Sequence, residues 1–274
     1  MIDWAAMADD ARHPGGLVDD LRRLGVRAGD VVMIHASLRA IGPVTDGADA
    51  VLNALEEAVG EDGTLLMVLG ARDDWDWVNA RAESERAGLL ADAPGFDAHE
   101  TPSDPDVGVL AEVFRQRPGT VVNDHPDGRF GARGRRALDL LEETPWHDYY
   151  GPGSPLDRLC QAGGKVLRLG ADLDTVTLLH LSEYYAFVDN KRTVRRHHVV
   201  AGENGPEVVH VDGLDDSKGI VDWVGEDYFA VLLRAYLASG RAATGLVGGA
   251  RSELIDATDL LEFATKWMTQ YLQA

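Results

Sequence analysis

KVLRLGADLDTVTLLHLSEYY, residues 165–185, changes period halfway along, and that change sets the reading of the whole chain. Val166, Leu167 and Leu169 form a short apolar run stopped by Gly170, as a buried strand would be, and a polar turn through Asp172 and Asp174 follows. A helix is predicted next: Asp174 or Thr175 can cap its first turn, and Leu178, Leu181 and Tyr185 recur at helical spacing. His180 and Glu183 then lie about 60° apart on a neighbouring face. A histidine with a carboxylate one turn away, just beyond a strand's carboxyl end, fits a general base with a partner to orient it. The pair equally fits a half-buried histidine beside a surface glutamate, and the stretch alone leaves both open.

The same strand-then-helix alternation runs through the preceding residues. Leu17, Val18, Leu21 and Leu24 make an amphipathic helix ending at Gly25, and VVMIH (31–35) follows as a strand. His35 ends that strand, where side chains face a shared crevice, and ASLRAIG comes next. Ser37 and Arg39 could serve a phosphate, although no Gly-rich phosphate loop is present and Arg39 could equally pair with an acidic neighbour. Residues 48–59 form a second amphipathic helix, closed by Gly60, and TLLMVL (64–69) a second apolar strand, as in a sheet covered on both faces. Its exit, GARDDWDW, sets Asp73 and Asp74 beside Trp75 and Trp77. That patch suits a cationic ligand with an apolar face, or is a polar loop with tucked tryptophans.

Residues 80–106 show little periodicity and read as an excursion or lid. Val107, Leu110, Val113 and Phe114 restore a helix; TVVN (120–123) is a short strand; and DHPDGRFGARG (124–134) is a Gly-punctuated turn. In it His125, Arg129 and Arg133 could contact an acidic cofactor or an acidic neighbour. Ser154 caps a helix carrying Leu156, Leu159 and a packed Cys160, so GPGSP is not a nucleophile elbow. Residues 191–201 and 206–211 flank Glu203-Asn204-Gly205, a hairpin signal. His197 and His198 are adjacent on a strand, point to opposite faces and cannot chelate one ion, so no metal is expected. Asp215, Asp216 and Ser217 follow, then helices over 226–238 and 253–272 separated by GLVGGARS, a short strand.

The chain has 274 residues, 45% of them hydrophobic, enough for one domain over 1–274 or two closely packed lobes of about 1–164 and 165–274. A net charge of −20 disfavours nucleic acid and anionic lipid and favours a polycationic substrate. No apolar run approaches the roughly 20 residues a membrane span requires. Residues 1–16 have neither the basic start nor the apolar core of a signal peptide, and the single Cys160 fits a reducing cytoplasm. Monomer and homodimer both remain open.

Six motifs in order resemble the aminoglycoside 3-N-acetyltransferase family, the antibiotic acetyltransferases that lack the common GNAT fold. HASLRAIGPV resembles its H-S-S-hydrophobic-R-A/S start, VGVLAEVFRQRPG its G-x-L-x-E-x-F-R segment, and DHPDGRFGARG its H-P-x-x-S-F-x-A-x-G turn. LRLGADLDTVTLLHLSE matches L-L-G-x-x-x-x-x-N-T-S-L-H-L-A-E most closely, and DDSKGI and the carboxyl-terminal segment complete the set. The resemblance implies an α/β fold, with a central mixed β-sheet flanked by helices, an added β-hairpin and carboxyl-terminal helices.

It also implies an activity: acetyl transfer from acetyl-CoA to the 3-amino group of an aminoglycoside, by direct attack in a ternary complex. His180 matches the histidine that takes a proton from the amine, and Asp215 or Asp216, in preference to Glu183, the acidic segment that orients it. His35 would lie near the thioester. Ser37, Leu38, Arg39 and Ala40 match the coenzyme A pyrophosphate segment, and Val107, Gly108, Val109 and Leu110 the pantetheine contacts. Asp73, Asp74, Trp75, His125 and Asp216 would face the substrate. Departures from the family pattern at Met67, Val68, Asn123, Asp124 and Arg129 bear on the substrate spectrum. Two other classes remain: an acyltransferase acting on a non-antibiotic amine, and a binding protein that uses the histidines without catalysis.

Overall fold

A computed structural model describes residues 14–202 and 205–273. Nine strands occur there: β1 (Val31–Ala36), β2 (Thr64–Val68), β3 (Val121–Val122), β4 (Phe130–Gly134), β5 (Lys165–Leu169), β6 (Thr193–Gly202), β7 (Gly205–Leu214), β8 (Ala243–Val247) and β9 (Ala250–Asp256). The helices are α1 (Pro14–Leu24), α2 (Leu38–Ile41), α3 (Gly47–Val59), α4 (Glu83–Leu89), α5 (Val109–Gln116), α6 (Ala137–Leu141), α7 (Pro155–Gln161), α8 (Leu178–Tyr185), α9 (Tyr228–Ala238) and α10 (Ala257–Tyr271). Seven strands form one mixed sheet in the order β3-β4-β2-β1-β5-β9-β8, and β6 and β7 form a separate hairpin. Within the sheet β2, β1 and β5 are parallel, and the strands flanking them run antiparallel.

The unbroken apolar character of β1 has a direct cause. Val31 and Met33 point into the cluster built with α6, α7, α8, α9 and α10, while Val32 and Ile34 point into the opposite cluster with α1, α3 and α5. Both pleat faces are covered, so polar alternation is absent.

Three local expectations change. Residues 130–134 form β4, a strand where a turn is predicted. Phe130 and Ala132 are fully buried and Leu66 faces Ala132 in antiparallel register; glycines and an arginine at the alternate positions hide the period. GLVGGARS divides into β8, a turn and the start of β9, so residues 253–256 are strand and the last helix begins at Ala257. Gly248 holds that turn at φ 61°, and a Cβ there would lie 2.7 Å from the Ile41 carbonyl. A single 3-10 turn, Leu173–Thr175, precedes α8, so neither Asp174 nor Thr175 caps it.

The excursion over 80–106 is pinned down. Phe96 exchanges backbone hydrogen bonds with β6, its N–H donating to Val199 at 2.7 Å and its carbonyl accepting from Ala201 at 3.0 Å. Arg129 lies beneath it, fully buried, donating to the carbonyls of Thr101 (2.8 Å) and Ala98 and stacking over Phe96. Burial, with the charge of Arg115, lowers its pKa to about 10, still a cation at neutral pH. Arg129 is thus an internal staple, away from any acidic cofactor, and Arg133 meets an acidic neighbour, Glu56, at 2.8 Å. The Glu203-Asn204 turn of the hairpin and the amino-terminal residues 1–13 lie outside the described residues.

Candidate active site

The carboxyl ends of β1 and β5 are neighbours, with His35 opposite Arg168 and Ala36 opposite Leu169. After β5 the chain turns sharply at Gly170, φ 65°, where a Cβ would stand 2.5 Å from that of Ala40. Only glycine lets the loop pass under α2 and lead Ala171 and Asp172 along the crevice. A cleft of about 570 Å³ opens here, lined by His35, Ser37, Val68, Val107, Gly108, Tyr150, Asp172, Asp174, Thr177, His180 and Asp216 among others. It occupies the switch point of the parallel strands, where wound sheets place their ligands.

His180 stands in the first turn of α8, with its ring stacked on Tyr150 (centroids 5.1 Å) and edge-on to Phe229 (4.8 Å). Its Nδ1 lies 2.8 Å from Oε2 of Glu183, which is 1% exposed. The other Glu183 oxygen accepts from the Tyr228 hydroxyl, and that hydroxyl accepts from the Ile220 N–H at 3.2 Å. Nδ1 therefore keeps a proton toward Glu183, and Nε2 is the nitrogen free to accept another. Burial pushes the ring's pKa down, but Glu183, then Asp216 and Asp227, outweigh it and raise it above 6.5. Such an imidazole can take a proton and share the resulting charge with a fixed carboxylate.

The preference for Asp215 and Asp216 as the orienting carboxylate is corrected by these contacts. Asp215 folds onto its own loop, with Oδ1 accepting from the N–H of Lys218 (2.9 Å) and the hydroxyl of Ser217 (2.8 Å). Asp216 lines the cleft and is held by Arg196 and by the Tyr149 hydroxyl at 2.6 Å. An i, i+3 carboxylate needs no loop closure to reach its histidine, so Glu183 takes the ring.

The other candidates separate. Ser37, Val107 and Gly108 line the cleft, with the Ser37 Oγ accepting from Ala40 N–H at 3.3 Å. Leu38 and Ala40 pack against the core, Arg39 is exposed, and Val109 is 61% exposed. The side chain of Leu110 is buried in the core and does not line the cleft. His125 is 1% exposed, with Nδ1 accepting from Gly128 N–H (2.7 Å) and Nε2 donating to the Trp146 carbonyl (2.9 Å); it braces its loop and offers no atom to a substrate. Asp73, Asp74 and Trp75 line a second cavity of about 540 Å³ under the excursion, not the cleft of His180. There His198 lies between Asp127 (3.0 Å) and Asp73 (3.4 Å). Burial opposes its protonation, but the two carboxylates raise its pKa to about 9.

Among the described residues one group has metal-ligand spacing: His147, His210 and Asp212, on the outer face of the hairpin. Two of its members are already engaged, since Arg195 spans the Asp212 carboxylate (2.7 and 2.9 Å) and His147 Nδ1 accepts from Asp212 N–H. No site role for Tyr150, Tyr228 or Phe229 is read from the sequence, although Tyr228 and Phe229 open YFAVLL, part of the carboxyl-terminal family pattern. A Tyr-Tyr pair in a Gly-Pro loop and an aromatic pair opening a helix were the available signals.

A mixed α/β sheet with a polar cleft at its switch point is the class this geometry defines. The sequence profile of the aminoglycoside 3-N-acetyltransferase family matches residues 33–269. The chain is 39% identical to aminoglycoside N(3)-acetyltransferase VIII of Streptomyces fradiae over 93% of its own length and 91% of that protein's. It superposes on the AAC-IIIb binary complex with CoASH with a TM-score of 0.88, at 35% identity, covering 94% of this chain and 97% of the other. Sisomicin-bound AAC-VIa, from a room-temperature neutron/X-ray structure, gives 0.88 at 36% identity, with 95% and 98% covered. The chain belongs to the aminoglycoside 3-N-acetyltransferase family. No helix among the described residues is long and apolar enough to cross a membrane.

Proposed function

We propose that this protein transfers the acetyl group of acetyl-CoA to the 3-amino group of aminoglycosides, with resistance to those antibiotics as the result, and that His180 is the general base. The observation that carries the reading is the His180–Glu183 pair, set in the same cleft as Ser37, Val107 and Gly108. The CoASH complex of one relative and the sisomicin complex of another support the two substrates. A protonated amine has no lone pair for attack on a thioester. Nε2 of His180 removes the proton, Glu183 balances the imidazolium, and the neutral amine attacks directly, with no acyl-enzyme. The cleft carboxylates Asp106, Asp172, Asp174 and Asp216 suit the other ammonium groups. Arg39, exposed and with its charge unshared among the described contacts, serves the coenzyme A phosphates, so Arg39→Ala should raise the KM for acetyl-CoA.

The test is thiol release from acetyl-CoA across an aminoglycoside panel that includes apramycin and gentamicin, with His180→Ala alongside. Release that needs the antibiotic and falls roughly 10²–10⁴-fold in the folded variant is expected. Full turnover by His180→Ala would remove the base. Release with other amines only would keep the chemistry and change the substrate class.

A further inference from the structure

Three buried polar side chains form a row across the sheet. β1, β5 and β9 are adjacent, and their register places His35 opposite Arg168 and Arg168 opposite Glu253. Their exposures are 6%, 8% and 7%. The guanidinium of Arg168 pairs with Glu253 at 2.6 Å and donates to the Ala171 carbonyl, which fixes a positive charge beside His35.

The ring of His35 has two unlike nitrogens. Nε2 is buried with no hydrogen-bond partner among the described residues, as is Nε of Arg168. A proton on Nε2 would be a buried, unanswered donor next to a cation, whereas a lone pair there is drawn to the guanidinium. The single proton of the neutral ring therefore belongs on Nδ1, on the edge that meets the cleft His35 lines. Burial, and then the Arg168 charge, hold the ring neutral at physiological pH by lowering its pKa to about 4.

We infer that His35 is a catalytic hydrogen-bond donor, its Nδ1–H meeting the thioester carbonyl oxygen of the acetyl donor as that oxygen becomes an oxyanion, and that Arg168 and Glu253 are positioning residues that fix its tautomer. The inference rests on the acetyl-transfer reading. The amine lone pair forms the C–N bond while the carbonyl π pair moves onto oxygen. His35 stabilises that charge without giving up its proton. The pair then returns, the C–S bond breaks and the coenzyme A thiolate leaves, neutralised by the proton His180 took from the amine. The imidazole, neutral again, takes the second proton from the acylated nitrogen and gives it to solvent, leaving a neutral amide, a thiol and one released proton. A neutral imidazole suits this role because its N–H is too weak an acid to be lost to the oxyanion, and a preoriented donor needs no reorganisation during reaction.

Two measurements test it. In 15N spectra of histidine-labelled enzyme without ligand, with His35 assigned from the His35→Asn spectrum, the ring should be neutral and protonated on Nδ1 at pH 7. An Nε2–H or doubly protonated ring overturns the inference whatever the substrate. In steady-state assays His35→Ala should lose roughly 10²–10³-fold in kcat, as removal of one oxyanion donor does, with coenzyme A binding unchanged. His35→Asn, whose amide N–H stands close to the Nδ1 position, should recover about ten-fold or more of that loss. Turnover by the parent with equal turnover by His35→Ala removes the His35 assignment alone. No thiol release from the parent with any aminoglycoside removes the acetyl-transfer reading, and this inference with it.

Discussion

Glu183 reaches His180 from three residues further along the same helix, Oε2 to Nδ1 at 2.8 Å, while its other oxygen is held by Tyr228 from a different helix. The carboxylate is thus locked at both ends in a site where it is 1% exposed. That arrangement ties the tautomer and the charge of the histidine to one side chain.

Glu183→Gln keeps the shape and removes the charge. A base works in its neutral form, and Glu183 is the largest influence raising the His180 pKa above 6.5, so activity in the parent should rise as pH climbs through a value above 6.5. In the variant that acid limb should move to lower pH and kcat should fall roughly 10²-fold or more. A pH profile of kcat/KM with its acid limb unmoved would detach Glu183 from the base.

His198 should make stability depend on alkaline pH. Its folded pKa of about 9 exceeds the unfolded value, so the stabilisation is complete below about pH 6.5 and is lost as pH rises through 9. The amount is on the order of 3 kcal/mol. Urea unfolding of the parent and of His198→Asn should differ most at pH 6 and converge by about pH 10. A constant difference across that range would mean that the ring packs without carrying charge.

Arg129→Met removes a buried donor from the carbonyls of Thr101, Ala98 and Gly70. Stranded acceptors of this kind cost roughly 2–4 kcal/mol. The loss should fall first on the excursion, so limited proteolysis should cut within residues 80–106 before the rest of the chain unfolds. Equal protection of that segment in parent and variant would show that the Phe96 bridge to β6 suffices.

The parallel strands were legible because burial on both faces leaves an uninterrupted apolar run, as in β1 and β2. β4 was not, because Gly131 and Arg133 occupy the positions that would have marked its period. Helical spacing behind a strand placed His180 one turn from Glu183, but its reading as a base came from the family resemblance, because the spacing equally fits a structural pair. The choice between Glu183 and the acidic segment was not legible, because Asp215 spends its oxygen on a three-residue loop that only the backbone path reveals.

By itself the sequence determined the wound α/β alternation, the family resemblance and the position of His180 one turn from Glu183, since all three depend on local spacing. Tertiary structure alone decided the rest: that Tyr228 locks Glu183, that Leu110 and His125 face inward, that Asp73 answers His198 in a separate cavity, and that Arg168 lies beside His35. Those outcomes depend on which strands become neighbours and which loop passes beneath which helix. Contacts between residues tens of positions apart are set by the packing of the whole sheet, and no local period encodes them.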